Sequence, residues 1–403
     1  MEKVQLWIVS ITGILLLSIV LPLGVQAEKV TTVSQHAERK TSITFFDMDQ
    51  SIKRFTYDSG LSFEYPDAVR GVYVTGNSAG GSRFNDLVNL IDNTDLNTMV
   101  IDIKEDHGNL TFKPDKNSPF ADIATGNISD PEAMMKTLEE KQIYPIARIV
   151  VFKDTVLAEN RPDLSFTENG KVWKNNKKEA FVNPFEKEVW EYNVDIAKLA
   201  VEMGFQEIQF DYVRFPEGFE NKDTSLDYSM GDYKELEMNN IKKRVEAVTD
   251  FVAYAREELS QYEVDVSVDI FGYAATLEET PGIGQNFSRI SENVDIISSM
   301  IYPSHWTSYF GIEKPDTEPY RLVTEYAKVE NEVLGKLENQ PVSRPWLQDF
   351  EAPWLYSGPA KKYGKAEVEA QIKALYENGI DEFLLWNAGN VYTKSVDYLI
   401  GKE

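Results

Sequence analysis

The chain has 403 residues, a fair length for one (β/α)8 barrel with insertions. Its formal net charge of −25 argues against nucleic acid and anionic lipid as partners and suits a neutral or cationic ligand, of which an uncharged glycan is the obvious polymer. With no cysteine and only His36, His107 and His305, disulfides, thiolate chemistry and Cys- or His-rich metal sites drop out, so no metal or cofactor is expected.

The N-terminus reads as an export signal. Lys3 precedes an uncharged run over residues 6–25, which contains Pro22 and Gly24 and leads to the small-residue end Val25-Gln26-Ala27. That pattern predicts cleavage after Ala27 and a mature chain beginning near Glu28. The run is also long enough to span a bilayer, so an uncleaved anchor is the alternative, and the membrane would be met only there. Either way the body of the protein is expected outside the cytoplasm, secreted or at the cell surface. Residues 28–66 are polar and weakly patterned, a tether with one short strand around 42–46.

From Val69 the pattern alternates between strand and helix. Strands are predicted over 70–75, 98–104, 144–151, 207–213, 265–271, 295–302, 344–350 and 382–387, and helices over 83–91, 131–141, 184–203, 235–259 and 366–378. Glu202-Met203-Gly204-Phe205 and Glu377-Asn378-Gly379-Ile380 are matching joins, each a helix ending in a glycine that turns the chain back toward the sheet. This alternation predicts an α/β fold, a (β/α)8 TIM barrel over residues 67–400 with long loops on its C-terminal face. No glycine-rich phosphate loop follows any strand, which weakens a nucleotide-binding sheet.

Side-chain alternation then selects the candidates. Placing Asp211 inside the barrel turns Gln209 inward too and sends Ile208 and Phe210 toward the helices. The same rule puts Asp269 on one face of its strand, Asp102 and Lys104 on one face of theirs, and Arg148 between Ala147 and Ile149. Charges inside a barrel mouth are costly unless paired or used, so they form either a site or a structural ion-pair network. Glycosidic cleavage requires two carboxyl groups, one protonated and one ionised. Asp211, Asp269 and Asp349 are the candidates, although Gln348 competes with Asp349 for the inward position and Asp349 also reads as a cap. At the rim, Tyr302, His305, Trp306, Trp346, Trp386 and Asn387 offer hydrogen bonds and flat faces for sugar rings, or simply packing. The run Glu105-Asp106-His107-Gly108 reads first as a polar turn and only second as a metal site.

The phrases VRGVYVTG, IDIKEDHG, FVNPF, EIQFDYVRFP, IYPSHW, RPWLQDF and LLWNAGN, taken together, resemble an uncharacterised bacterial family named as glycoside hydrolases. The resemblance covers roughly residues 67–400 and implies an exported TIM barrel distantly related to the α-amylase-like enzymes, with no known substrate. In those enzymes the nucleophile is an Asp ending the fourth strand, the place Asp211 holds. They carry an Arg two residues earlier, where this chain has Gln209 and an Arg214 that follows instead. Their acid is a Glu ending the fifth strand, where this chain offers Asp269. The expectation is an enzyme cleaving an oligo- or polysaccharide of the cell wall or surroundings. Asp211 would be nucleophile or base and Asp269 the acid, with Asp102, Lys104, Arg148, Arg214, Tyr302 and His305 positioning the substrate. The rivals are an inert glycan-binding barrel at the cell surface and a metal-dependent deacetylase.

Overall fold

In the computed structural model, which describes residues 57–355 and 361–402, the expected strands form a closed parallel barrel. The export segment and the short strand around 42–46 lie outside the described residues. The barrel strands are β1 (Arg70–Val74), β2 (Thr98–Lys104), β3 (Tyr144–Val150), β4 (Glu207–Asp211), β5 (Asp265–Phe271), β6 (Ile296–Met300), β7 (Trp346–Gln348) and β8 (Phe383–Trp386). Closure comes from β1, which pairs in parallel with β2 on one side (Val72 opposite Met99) and with β8 on the other (Arg70 opposite Phe383). Among the described residues no helix is long and apolar enough to cross a membrane.

Seven helices matter to the barrel: α1 (Arg83–Asp92), α2 (Pro131–Glu140), α3 (Lys187–Glu202), α4 (Asn240–Leu259), α5 (Phe287–Ser291), α6 (Pro319–Leu334) and α7 (Lys365–Tyr376). Helix α4 starts at Asn240, later than the expected 235, because the Asn239 side chain caps it by accepting from the Lys242 amide. Gly204 and Gly379 follow α3 and α7 with φ of 99° and 76°, the left-handed geometry that the two matching joins require.

Three departures bear on the site. Strand β4 stops at Asp211 because Tyr212 has φ 53°, so Tyr212, Val213 and Arg214 belong to the loop above it. The expected strand 344–350 is broken: Val342–Ser343 is a separate short piece beside β6, and Pro345, which lacks an N–H, sits at the break before β7. After β2 the chain adds Leu110–Phe112, antiparallel to β2, and Ala124–Ile128 beyond it, an insertion the sequence pattern did not suggest.

The alternation of each strand divides the core. Val100, Ile146, Trp346 and Leu384 pack inside the barrel with Tyr73 and Tyr144. Met99, Ile101, Ile149, Ile208, Phe210, Val266, Val268 and Ile270 face outward into the helix layer. Each such side chain contributes roughly 1.5–3 kcal/mol by leaving water. That outward layer fixes which residues must turn inward, and at the C-terminal ends of the strands these are charged.

Candidate active site

The site is organised by Arg148, which rises from β3 beside Gln209 of β4 and is 1% exposed. Its Nε and Nη2 donate to Asp211 Oδ2 at 3.0 and 2.6 Å. Nη1 donates to Asp102 Oδ1 at 2.7 Å, and Nη2 also reaches Asp106 Oδ1 at 2.9 Å. The second oxygen of Asp102 accepts from the Tyr73 hydroxyl at 2.5 Å, and that of Asp106 from Lys153 Nζ at 2.9 Å. One guanidinium therefore holds three carboxylates, an arrangement suited to its rigid fork of donors. Burial pushes Asp102 up to about 6 against the pull of Arg148 and Tyr73. Burial also acts to raise Asp106, but Arg148 and Lys153 outweigh it and hold that carboxyl at about 2.

Asp211 closes β4 with its other oxygen, Oδ1, accepting the Tyr212 amide at 2.5 Å, so the left-handed turn at Tyr212 also orients the carboxylate. Asp269, on the adjacent β5, has the opposite surroundings. Its Oδ1 accepts the Trp346 indole N–H at 2.7 Å, and no cation pairs with it among the described residues. Burial lifts Asp269 well above the usual carboxyl range and the charge of Asp211 adds to this, while the indole bond and Arg148 oppose it. Two neighbouring carboxyls with environments this different can divide the roles of proton donor and anion.

Above them opens a cleft of about 650 Å³ lined by Asp106, Arg148, Asp211 and Asp269 together with many aromatic residues. Trp386 lines it while stacked on Tyr73, with ring centroids 3.9 Å apart. Tyr302, Trp306 and His305 also face it, and His305 Nδ1 lies 3.1 Å from Ser304 Oγ. Burial raises the Tyr302 phenol well above its ordinary range, and the charges of Asp269 and Asp211 add to this. Arg214 reaches the cleft from the loop after β4, and Lys177 and Glu217 stand at its edge.

Four candidates sit elsewhere. A register shift between Asp102 and Lys104 breaks the alternation of β2, so Lys104 points into the helix layer. There its Nζ pairs with Asp154 Oδ2 at 2.6 Å and donates to Asn193 Oδ1 of α3 at 3.0 Å. Asp349 accepts the Thr393 amide at 2.9 Å and the Thr393 hydroxyl at 2.5 Å, which makes it an anchor for the C-terminal segment. Gln348 accepts the Ser304 amide at 2.9 Å and so holds the loop that carries His305. Asn387 donates to the carbonyls of Asp349 and Val391, bracing that same corner. Conversely, sequence reasoning passed over Tyr73, Lys153 and Glu217, and read Asp106 as a turn. The signal for Asp106 was its density of charge directly after a strand. Among the described residues no three His, Asp or Glu side chains converge as a metal-holding group. The three nearest aspartates share Arg148 instead.

An α/β barrel with paired carboxyls in a C-terminal cleft is the architecture of many glycoside hydrolases. Residues 71–392 match the family described as "Putative glycosyl hydrolase domain", and the chain belongs to that family. Among solved structures, a hypothetical protein from Ruminiclostridium thermocellum ATCC 27405 is 33% identical over 49% of this chain and 96% of its own, with a TM-score of 0.42. The PgaB (BpsB) glycoside hydrolase domain from Bordetella bronchiseptica is 12% identical, covering 80% of this chain and 95% of its own, with a TM-score of 0.56. A β-galactosidase from the psychrophilic Marinomonas ef1 is 12% identical over 79% of this chain and 54% of its own, with a TM-score of 0.50. The last two likenesses are of fold. Among curated proteins nothing matches the chain.

Proposed function

We propose that this protein hydrolyses glycosidic bonds in an extracellular or cell-wall polysaccharide, with Asp269 as general acid and Asp211 as nucleophile or general base. One observation carries the reading: a buried, cation-free Asp269 beside an Asp211 fixed by two hydrogen bonds from Arg148. A protonated Asp269 gives its proton to the glycosidic oxygen as the bond breaks. The Asp211 carboxylate meets the positive charge growing at the anomeric carbon, by direct attack or through a water. Arg148 keeps the carboxylate aimed without needing to move during the reaction. The ring faces of Trp386 and Tyr302 supply a floor for pyranose rings, and family membership supports a carbohydrate substrate. The apolar run ending at Ala27 supports export.

The test is reducing-end release from a panel of purified bacterial wall and capsular polysaccharides. The D211N and D269N variants should each lose about 10²–10⁴-fold in turnover while remaining folded. Wild-type rates in D211N would sink the assignment. Retention of a glycan with no reducing ends released by the wild type would make the barrel a binding module.

A further inference from the structure

Among the described residues five arginines are largely buried, and four of them have a clear reason to be. Arg148 holds three aspartates, Arg344 pairs with Glu207 and Glu382, Arg244 pairs with Asp223 and donates twice to the Pro281 carbonyl, and Arg70 donates to the Asp95 carbonyl and pairs with Asp67. Arg214 differs. Its side chain is 6% exposed, yet its one carboxylate partner is Glu217 Oε1 at 3.2 Å, on a side chain that is 72% exposed. Of the five N–H donors of a guanidinium, one on Nη1 goes to the Phe215 carbonyl at 3.1 Å and one on Nη2 to Glu217. The Nε–H has no partner among the described residues. Two rings stand against the guanidinium, the Tyr212 and Phe271 centroids each lying 4.7 Å from Cζ. Such ring contacts do not use the N–H donors along its edge, and Arg214 lines the cleft.

A desolvated cation without a desolvated counter-ion is an expensive feature for a fold to keep. Here it stands over the catalytic cleft, with the exposed Lys177 as a second cation on the same rim. We infer that Arg214 receives a carboxylate borne by a sugar of the substrate, so that the glycan recognised contains uronic acid residues. Glu217 occupies that position in the free protein as a displaceable stand-in. The guanidinium edge fits a planar carboxylate with two parallel hydrogen bonds, which a neutral hydroxymethyl group cannot reproduce. The net charge of −25 opposes an acidic polymer at long range. At physiological salt that field is screened beyond about 8 Å, and the contact at Arg214 acts well inside this distance.

The inference rests on the glycosidase reading but is tested by binding alone. The full-length protein carrying D211N is titrated with D-glucuronate and D-galacturonate, with D-glucose and D-galactose as neutral counterparts and acetate as a bare carboxylate. At least one uronate should bind tenfold or more tighter than its neutral partner and than acetate. R214M should erase that preference, and R214K, which keeps the charge without the fork, should restore only part of it. E217Q, by removing the competing anion, should tighten uronate binding several-fold and leave neutral sugars unchanged. Equal binding of uronate and neutral sugar overturns the proposal, as does equal binding of uronate and acetate. So does an E217Q variant that binds uronate more weakly. Each of these results leaves the assignment of Asp211 and Asp269 intact, because that assignment is judged by cleavage.

Discussion

Asp269 is useful as an acid only while it keeps its proton near working pH, and an ordinary aspartate, titrating near ~3.9, does not. Its environment raises it through burial first and the Asp211 charge second, while the Trp346 indole pulls the other way by favouring the carboxylate. The sign of a Trp346→Phe change follows. Removing a donor to the charged form raises the Asp269 pKa further, so the alkaline limb of kcat/KM moves to higher pH. A hydrogen bond worth about 0.5–1.5 kcal/mol corresponds to a displacement of roughly 0.4–1 pH units. A pH–rate profile of the variant checks this, and a limb that stays in place or moves to lower pH would show that another group titrates there. Sequence alternation was enough to put Asp211, Asp269 and Arg148 at the same mouth. It could not show that Arg148 serves Asp211, because that contact joins residues on different strands and depends on barrel curvature. Arg214 follows a predicted strand of 207–213 that in fact stops at Asp211, so it reaches the cleft from a loop, because Tyr212 takes a backbone conformation that its side-chain type does not announce.

At the scale of elements, the strands were legible because outward apolar and inward polar residues alternate, and the failures have local causes. Helix α6 has the spacing of an apolar stripe at Leu322, Val323, Tyr326, Ala327 and Leu334, but Glu330 interrupts it. That glutamate is buried and accepts from Ser343 Oγ at 2.6 Å, a polar contact that hides the helix from a hydrophobicity pattern. Helix α5, at five residues, is too short to show a period. In β2, alternation gives the wrong face for Lys104 because the register shifts just before it. The result is a fully buried Lys104–Asp154 pair tying β2 to the loop after β3, where Asp154 also caps a helical turn by accepting the Leu157 amide at 2.7 Å. Lys104→Met should leave Asp154 as a buried charge without its cation and cost about 3–5 kcal/mol in urea denaturation. K104M/D154N should recover part of that loss, since the second change removes the stranded charge. Equal stability of K104M and wild type would mean that the pair does not hold the loop.

At the scale of the molecule, the two ends of the barrel are charged for different reasons. The C-terminal end carries the cleft. The N-terminal end is sealed by Arg344, which donates Nη1 to both oxygens of Glu207 at 2.8 Å, Nε to Glu382 at 2.7 Å and Nη2 to the Tyr65 hydroxyl at 2.9 Å. Tyr65 in turn donates to Glu382 at 2.8 Å and meets the Tyr144 ring edge-on at 5.2 Å. It belongs to the segment that enters the barrel, which is stitched across the same end by Ser62 and Glu64 amides donating to Glu139 in the last turn of α2 and to Gln142 just after it. The polar stretch before Val69, read from sequence as a tether, therefore ends as part of the closure. Paired charge buried at the end of a barrel opposite the cleft serves stability rather than chemistry. Tyr65→Phe keeps the ring in place and removes a hydroxyl that both accepts from Arg344 and donates to Glu382. The expected loss is about 1–3 kcal/mol of folding stability, the range for a buried polar group deprived of a partner. Turnover per folded molecule should stay at the wild-type value, because no atom of this cluster lines the cleft. Denaturation curves and activity normalised to folded protein separate the two effects. A variant with wild-type stability and reduced turnover would mean that the closed end communicates with the cleft, and the division of the barrel into a chemical end and a structural end would fail.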